Sequence, residues 1–352
     1  MNNACDISFL LPVYNVAPYI KDAINSILVQ KLEKFNYEII CVDDASTDNS
    51  LQVLEELKEK NESDNIRVYS NTMNRGVSYS RNYLLKLAKG EYISFVDPDD
   101  VLGDNNDILL KAAYKSNADF VYGNYSKITG SDHFFEKDNT EAETQSGQEI
   151  TCFWKNPPID REGNGIAAVW SGIFKRRFLI DNAIVFDPKV SFKEDTLFFH
   201  DFLSHSPKIY KINVDRYYYR QREGSLLHSV NSEEKHLKLY KSSYYLYKHM
   251  KAINQRYSEG CDNKNYLAQH IEVIKRDIVT NLAGAQSSKY IAKQLKALKA
   301  EGVYPYKNNK EDLFGISPKY KAVLYYLVPI EPFFWILHGL FIISYKRQKY
   351  MS

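Results

Sequence analysis

Short, uniformly apolar runs alternate with segments of helical apolar spacing through the first 125 residues, and this alternation leaves the chain few architectures. Residues 7–11, 38–42, 66–69, 92–96 and 120–122 have the length and composition of buried strands. Between them, Ile20, Ile24, Ile27 and Leu28 follow helical spacing, as do Val53, Leu54 and Leu57 behind a cap at Thr47 or Asp48. Residues 77–88 and 108–116 read as two further helices. Strands that lack polar alternation are covered on both faces, and strands joined through helices pair in parallel. An α/β fold is therefore expected, with a mostly parallel, Rossmann-like sheet flanked by helices. Sheets of this kind bind ligands beyond the carboxyl ends of their strands. Polar clusters stand at three such ends: Pro12-Val13-Tyr14-Asn15, Asp43-Asp44 and Asp97-Pro98-Asp99-Asp100.

Ionised aspartates beside a buried strand are costly to desolvate without a partner. Grouped at a sheet rim, they suit a hard divalent cation that also meets substrate phosphates. The alternative reading of each cluster is an acidic turn. Glycine usage narrows the ligand. The first glycine is Gly76, so the turns after the first two strands hold neither a GxGxxG nor a P-loop cradle. That argues against a dinucleotide dehydrogenase and a P-loop NTPase. A diphosphate facing this rim needs a cation between the charges. Cys5, Cys41, Cys152 and Cys261 are scattered, without zinc or disulfide spacing, which suits a reducing cytosol. No signal peptide is expected from the N-terminal residues, where the apolar run is short and follows Asp6.

The segments LLPVYN (10–15), EIICVDDASTDNS (38–50), NRGVSYSRN (74–82) and KGEYISFVDPDD (89–100) together resemble the family 2 glycosyltransferases of the GT-A fold, the nucleotide-diphospho-sugar transferase architecture. The resemblance covers about the first 125 residues. FKEDTLFFHDF (192–202) resembles the family's acidic base motif, and YYYRQREGSLLHS (217–229) a segment of its bacterial capsule, O-antigen and teichoic acid members. It implies an inverting hexosyltransferase using a nucleotide-sugar, usually a UDP-sugar, with Mn²⁺ or Mg²⁺, and a saccharide or lipid-linked saccharide acceptor in surface polysaccharide synthesis. No nucleic acid partner is implied.

The roles that the resemblance implies are these. Pro12, Tyr14 and Asn15 line the base pocket, Asp43 accepts from the uracil ring, and Asp44 lies nearby; both acids also read as turn carboxylates. Asn74, Gly76 and Arg81 serve the nucleotide-sugar, with Gly76 allowing an unusual backbone angle and Arg81 facing sugar or phosphate; a salt bridge is the arginine's alternative. Asp97 contacts ribose and Asp99 is the metal ligand, while Asp100 supports it or begins the next helix. Asp195 is the general base with Glu194 beside it, and these two roles are interchangeable on sequence alone. Acids opening a helix are the plainer explanation. Arg220, Arg222 and Ser225 form a lid over the diphosphate, and His228 is a second candidate metal ligand or a surface histidine.

Residues 1–229 are thus expected to form the catalytic domain, with a nucleotide-sugar half (1–125) and an acceptor half (126–229). Residues 230–352 form a helical, basic extension. The net charge of +2 hides 26 basic against 34 acidic residues up to residue 229, and 20 against 10 beyond it. Within 320–349 the apolar run 322–344 has nearly the length of a span, but Pro329, Glu331 and Pro332 interrupt it. An interfacial or re-entrant hairpin at the cytoplasmic membrane face is expected, helped by Lys346, Arg347 and Lys349, with a buried helix packed on the catalytic domain, or a dimer contact, as the alternative. A sugar nucleotidyltransferase and a non-catalytic carbohydrate-binding protein on the same fold are the rival functions.

Overall fold

The computed structural model describes residues 5–30, 32, 34–61, 65–129, 147–160, 162, 163, 165, 167–221, 232–284, 287–304, 332 and 334–340. By internal contacts the chain divides into two compact units. One comprises Met1–Pro188 and Glu194–Glu223, the other Lys189–Lys193 and Gly224–Ser352.

The first unit is built on strands β1 (Ile7–Val13), β2 (Tyr37–Asp43), β3 (Ile66–Ser70), β4 (Tyr92–Phe95), β5 (Val101–Leu102), β6 (Phe120–Thr129), β7 (Gln148–Ile150), β8 (Gly172–Lys175) and β9 (Ile209–Gln221). They join one sheet in the order β3-β2-β1-β4-β8-β6-β9-β5, with β7 on β9. Helices α1 (Ile20–Leu28), α2 (Ser50–Lys60), α3 (Val77–Leu87), α4 (Asn106–Ser116), α5 (Arg176–Asp181) and α6 (Glu194–Ser204) accompany it. Every residue of β1 is buried. Each such Leu, Ile or Phe contributes roughly 1.5–3 kcal/mol of burial free energy, which is why uniformly apolar runs become central strands.

The sheet is parallel where strands are joined through α1, α2 and α3: β1 pairs in parallel with β2 and β4, and β2 with β3. Beyond β4 it is mixed. β8 follows a 3₁₀ turn at Val169–Ser171 rather than a crossover helix, so it runs antiparallel to both β4 and β6. The parallel register carries Val13 opposite Asp43 and Leu10 opposite Phe95, which brings the first, second and fourth polar ends to one rim. The second helix starts later than the expected cap. α2 begins at Ser50, and Asp48 accepts instead from the Ser50 N–H at 2.9 Å and the Ala17 N–H at 3.0 Å.

The second unit contains α7 (Glu233–Asn254), α8 (Asp262–Ala283) and α9 (Ser288–Ala300). Ser232 and Ser287 cap α7 and α9 by accepting from the Lys235 and Tyr290 N–H groups. Residues 334–340 are helical, and Phe334 and Leu337 are buried in this unit. His338 Nδ1 lies 3.0 Å from the Ala283 carbonyl. This part of the expected membrane segment therefore packs on protein; the rest of 320–349, apart from Pro332, lies outside the described residues. None of the described helices is long and apolar enough to cross a membrane.

Candidate active site

The loops after β1 and β2 are sewn together. Asn15 adopts a positive φ of 52°, which asparagine tolerates better than most residues, and its Oδ1 accepts from the Thr47 N–H at 2.8 Å. The Asn15 N–H donates to Ser46 Oγ at 3.0 Å and the Val16 N–H to Ser50 Oγ at 2.8 Å. Pro12 is buried in β1, whereas Tyr14 just beyond the strand is 45% exposed, a ring available to a flat ligand. Asp43 Oδ2 accepts from the Ser46 N–H at 3.2 Å, but Oδ1 is buried with no hydrogen-bond partner among the described residues. Asp44 differs. It accepts from Asn71 Nδ2 at 2.7 Å, the Arg75 N–H at 3.0 Å and the Gly76 N–H at 2.7 Å. It fixes the turn that bears the exposed Asn74 and launches α3 from Gly76, whose φ of 87° strongly favours glycine.

The acidic turn after β4 is clamped from β9. Tyr217 Oη accepts from the Asp97 N–H at 2.9 Å, and the Tyr217 ring stacks on Trp170 with centroids 4.2 Å apart. Arg220 lies within β9 and is buried, not on a lid beyond it. Its N–H donates to Asp100 Oδ1 at 2.8 Å, its Nε to the Asp99 carbonyl at 3.0 Å, and its guanidinium pairs with Asp22 at 3.0 Å. Arg220 therefore braces the turn against α1. Asp100 is buried and does not open a helix, since α4 starts six residues later at Asn106. Burial, then the charges of Asp99 and Asp97, raise its pKa well above the usual carboxylate range.

The long-range event is the meeting of this turn with α6. Arg81, on α3 and only 3% exposed, spans both. Its Nη2 donates to Asp97 Oδ1 at 3.0 Å, while Nη1 donates to Glu194 Oε1 at 3.0 Å and Asp195 Oδ1 at 2.7 Å. Burial disfavours the guanidinium charge, but Asp195, Asp97 and Glu194 outweigh it and raise the Arg81 pKa. Asp195 Oδ2 accepts from the Val169 N–H at 3.3 Å. Burial raises the Asp195 pKa to about 7; Glu194 and Asp97 add to the rise, and Arg81 and the Val169 N–H oppose it. Beneath the cluster are aromatic rings. The Arg81 guanidinium lies 5.2 Å from the Phe186 ring, which stacks on Phe198 at 4.4 Å. Asn82 fixes Phe186 by a reciprocal pair of backbone hydrogen bonds at 2.6 and 2.8 Å.

Asp97, Arg81, Glu194 and Asp195 thus converge, whereas Arg222, Ser225 and His228 lie outside the described residues. Sequence reasoning passed over Asn71, whose side-chain amide donates to Asp44, and Asn82, Val169 and Tyr217, which act through backbone contacts that composition does not announce. Asp97, Asp99 and Asp100 crowd like charges in the turn, and Asp100 Oδ2 is buried without a hydrogen-bond partner among the described residues, but no group of three or more acidic, histidine or cysteine side chains is placed to hold a metal ion among those residues.

The model of the family described as Glycosyl transferase family 2 matches residues 8–178. The chain is 34% identical over 223 residues to a poly(ribitol-phosphate) beta-glucosyltransferase of Bacillus spizizenii, covering 62% of this chain and 33% of that protein. To the glycosyltransferase GlyG of Streptococcus pneumoniae serotype 4 it is 30% identical over 226 residues, covering 63% of this chain and 72% of GlyG. It therefore spans about a third of the first relative and most of the second. The solved structure of S. aureus TarS 1-349 in complex with UDP-GlcNAc superposes with a TM-score of 0.54 at 19% identity, covering 86% of this chain and 94% of that one. A likeness at that identity is one of fold, the GT-A architecture.

Proposed function

Because this chain belongs to glycosyltransferase family 2, we propose that it moves a hexosyl group, with inversion, from a UDP-sugar to a saccharide or lipid-linked saccharide acceptor of a bacterial surface polysaccharide. One observation carries this reading. Asp97 at the end of β4 and the Glu194–Asp195 pair on α6 meet around one arginine, so donor-side and acceptor-side carboxylates share a cluster.

Each Asp195 oxygen keeps a lone pair beyond its bond to Arg81 or Val169, so the carboxylate can take the proton of an acceptor hydroxyl. The acceptor oxygen then attacks the anomeric carbon, and the bond to the diphosphate oxygen breaks with its electron pair leaving on the nucleoside diphosphate. A single displacement of this kind inverts the centre. A base with a pKa near the working pH suits the transfer. Asp195 is assigned that role, with Glu194 placing the acceptor. Asp43 Oδ1, without a partner among the described residues, offers an acceptor for an imide N–H, which a uracil ring supplies, and the exposed Tyr14 just beyond β1 offers a ring face. TarS, similar in fold, has been solved with UDP-GlcNAc, which supports a UDP-sugar here, and the B. spizizenii relative is a poly(ribitol-phosphate) beta-glucosyltransferase, which supports a polymer acceptor. Asp99 would hold Mn²⁺ or Mg²⁺, which when bound supplies positive charge to the departing diphosphate. On this reading the enzyme works at the cytoplasmic face of the membrane.

The test is a panel of nucleotide-sugars with and without Mn²⁺, read as nucleoside diphosphate release in the presence of saccharide and poly(ribitol phosphate) acceptors. Asp195→Asn should keep UDP affinity while turnover falls by about 10²–10⁴-fold. Wild-type turnover should rise with pH through about 7, because only the ionised carboxylate accepts a proton. Near-normal turnover of Asp195→Asn removes the assignment, and a binding protein that releases no nucleotide under any donor removes the enzyme reading altogether.

A further inference from the structure

We propose that Arg81 is a positioning residue: it holds Asp195 aimed and in its proton-accepting form, and it ties that acid to Asp97 on the donor side. The inference deepens the reading of Asp195 as base and rests on it for its catalytic meaning. Its physical content, the control of Asp195 by Arg81, can be measured without any substrate.

The geometry is that of one cation divided among three acids. Nη1 is shared by Asp195 at 2.7 Å and Glu194 at 3.0 Å, and Nη2 reaches Asp97 at 3.0 Å. The side chain is 4% exposed, so solvent does little to screen these pairs. It is not free to swing away. The Phe186 ring lies beside the guanidinium, and the neighbouring Asn82 fixes Phe186 by its backbone N–H and carbonyl. Arg81 Nε is buried without a hydrogen-bond partner among the described residues, so the fork is oriented by the acids on its Nη edge.

The charges facing Asp195 come from each element around it. Glu194 stands on α6 itself, Asp97 on the turn after β4, and Arg81 on α3, while the Val169–Ser171 turn offers only the Val169 N–H at 3.3 Å. Two of these repel the carboxylate, and Arg81 is the main charge that favours it among the described residues. Without the guanidinium, Asp195 faces two like charges in a buried setting and retains its proton to higher pH. Lysine cannot replace the arginine fully, because a compact ammonium does not reach three carboxylates as a planar fork does. The same fork makes Asp97 and Asp195 partners of one group. A ligand that draws on Asp97 therefore alters what remains for Asp195.

The experiment follows the Asp195 carboxyl resonance by NMR in full-length protein labelled with carboxyl-¹³C aspartate, assigned by its loss in Asp195→Asn. In the wild type the apparent midpoint should lie near 7, as a property of the coupled cluster. In Arg81→Gln it should rise by about one pH unit or more, with Arg81→Lys between. The rising limb of turnover against pH should move with it, so that Arg81→Gln recovers activity in alkali. An unchanged midpoint in Arg81→Gln, or a loss of turnover equal at every pH, overturns the proposal. Should Arg81→Gln fail to show a cooperative melt, Arg81→Lys decides: a midpoint equal to wild type overturns, a raised one supports. Absence of sugar transfer by wild type would defeat the proposed function and leave the NMR result to judge Arg81.

Discussion

Asp43 and Asp44 are adjacent, both almost fully buried, and differently employed. Asp44 accepts from a side-chain amide and two backbone N–H groups in the 71–76 turn, whereas one Asp43 oxygen has no hydrogen-bond partner among the described residues. Asp44→Ala strands those donors and should cost about 2–3 kcal/mol in chemical denaturation. Asp43→Ala should cost less stability and weaken UDP binding about tenfold or more by calorimetry. Equal stability losses in the two variants would contradict this division. The sequence could place both acids at a strand end but could not separate their duties, because a carboxylate's partners lie in a loop about thirty residues away. Arg220 illustrates the same limit. Its charge was legible, but its burial against Asp22, which is 198 residues distant, was not. Arg81 was visible as a site arginine. Its three acids, two of them more than a hundred residues on, emerge only from folding.

Among the elements, β1 to β4 were legible because uniform apolar runs between helix patterns admit one arrangement, and α3 and α4 follow the expected spans closely. β5 and β7, two and three residues long, carry too little pattern to find, and β8 lacks the helix that would announce it. The segment before α6 carries a backbone cost that no pattern reveals. Lys193 adopts a φ of 61°, and within its unit Nζ pairs with Asp277 at 2.6 Å while the Ser191 N–H donates to Ser242 Oγ at 3.0 Å. Substituting Lys193 by Gly or Ala removes the same ion pair. The glycine variant should nevertheless be the more stable by about 0.5–1 kcal/mol, since a left-handed conformation penalises any Cβ. Identical denaturation midpoints and slopes would show that this backbone is unstrained.

Across the whole molecule, charge is unevenly distributed, acidic up to residue 229 and basic beyond. On the reading that the enzyme meets an anionic membrane, replacing Lys346, Arg347 and Lys349 together by Gln should lower sedimentation with vesicles rich in phosphatidylglycerol, without altering the melting temperature. Equal sedimentation of variant and wild type would remove these cations from membrane contact, and with them the clearest reason to place the enzyme there. The division of the chain has a separate consequence. Lys189–Lys193 belong to the second unit although chain on both sides belongs to the first. No single scission can separate the two units intact. During synthesis those five residues leave the ribosome before the helices they pack with, so their partners arrive only after β9 has been made. A fragment ending at residue 223 would strand them, and Glu194 and Asp195, the acids of the proposed site, follow directly on their heels.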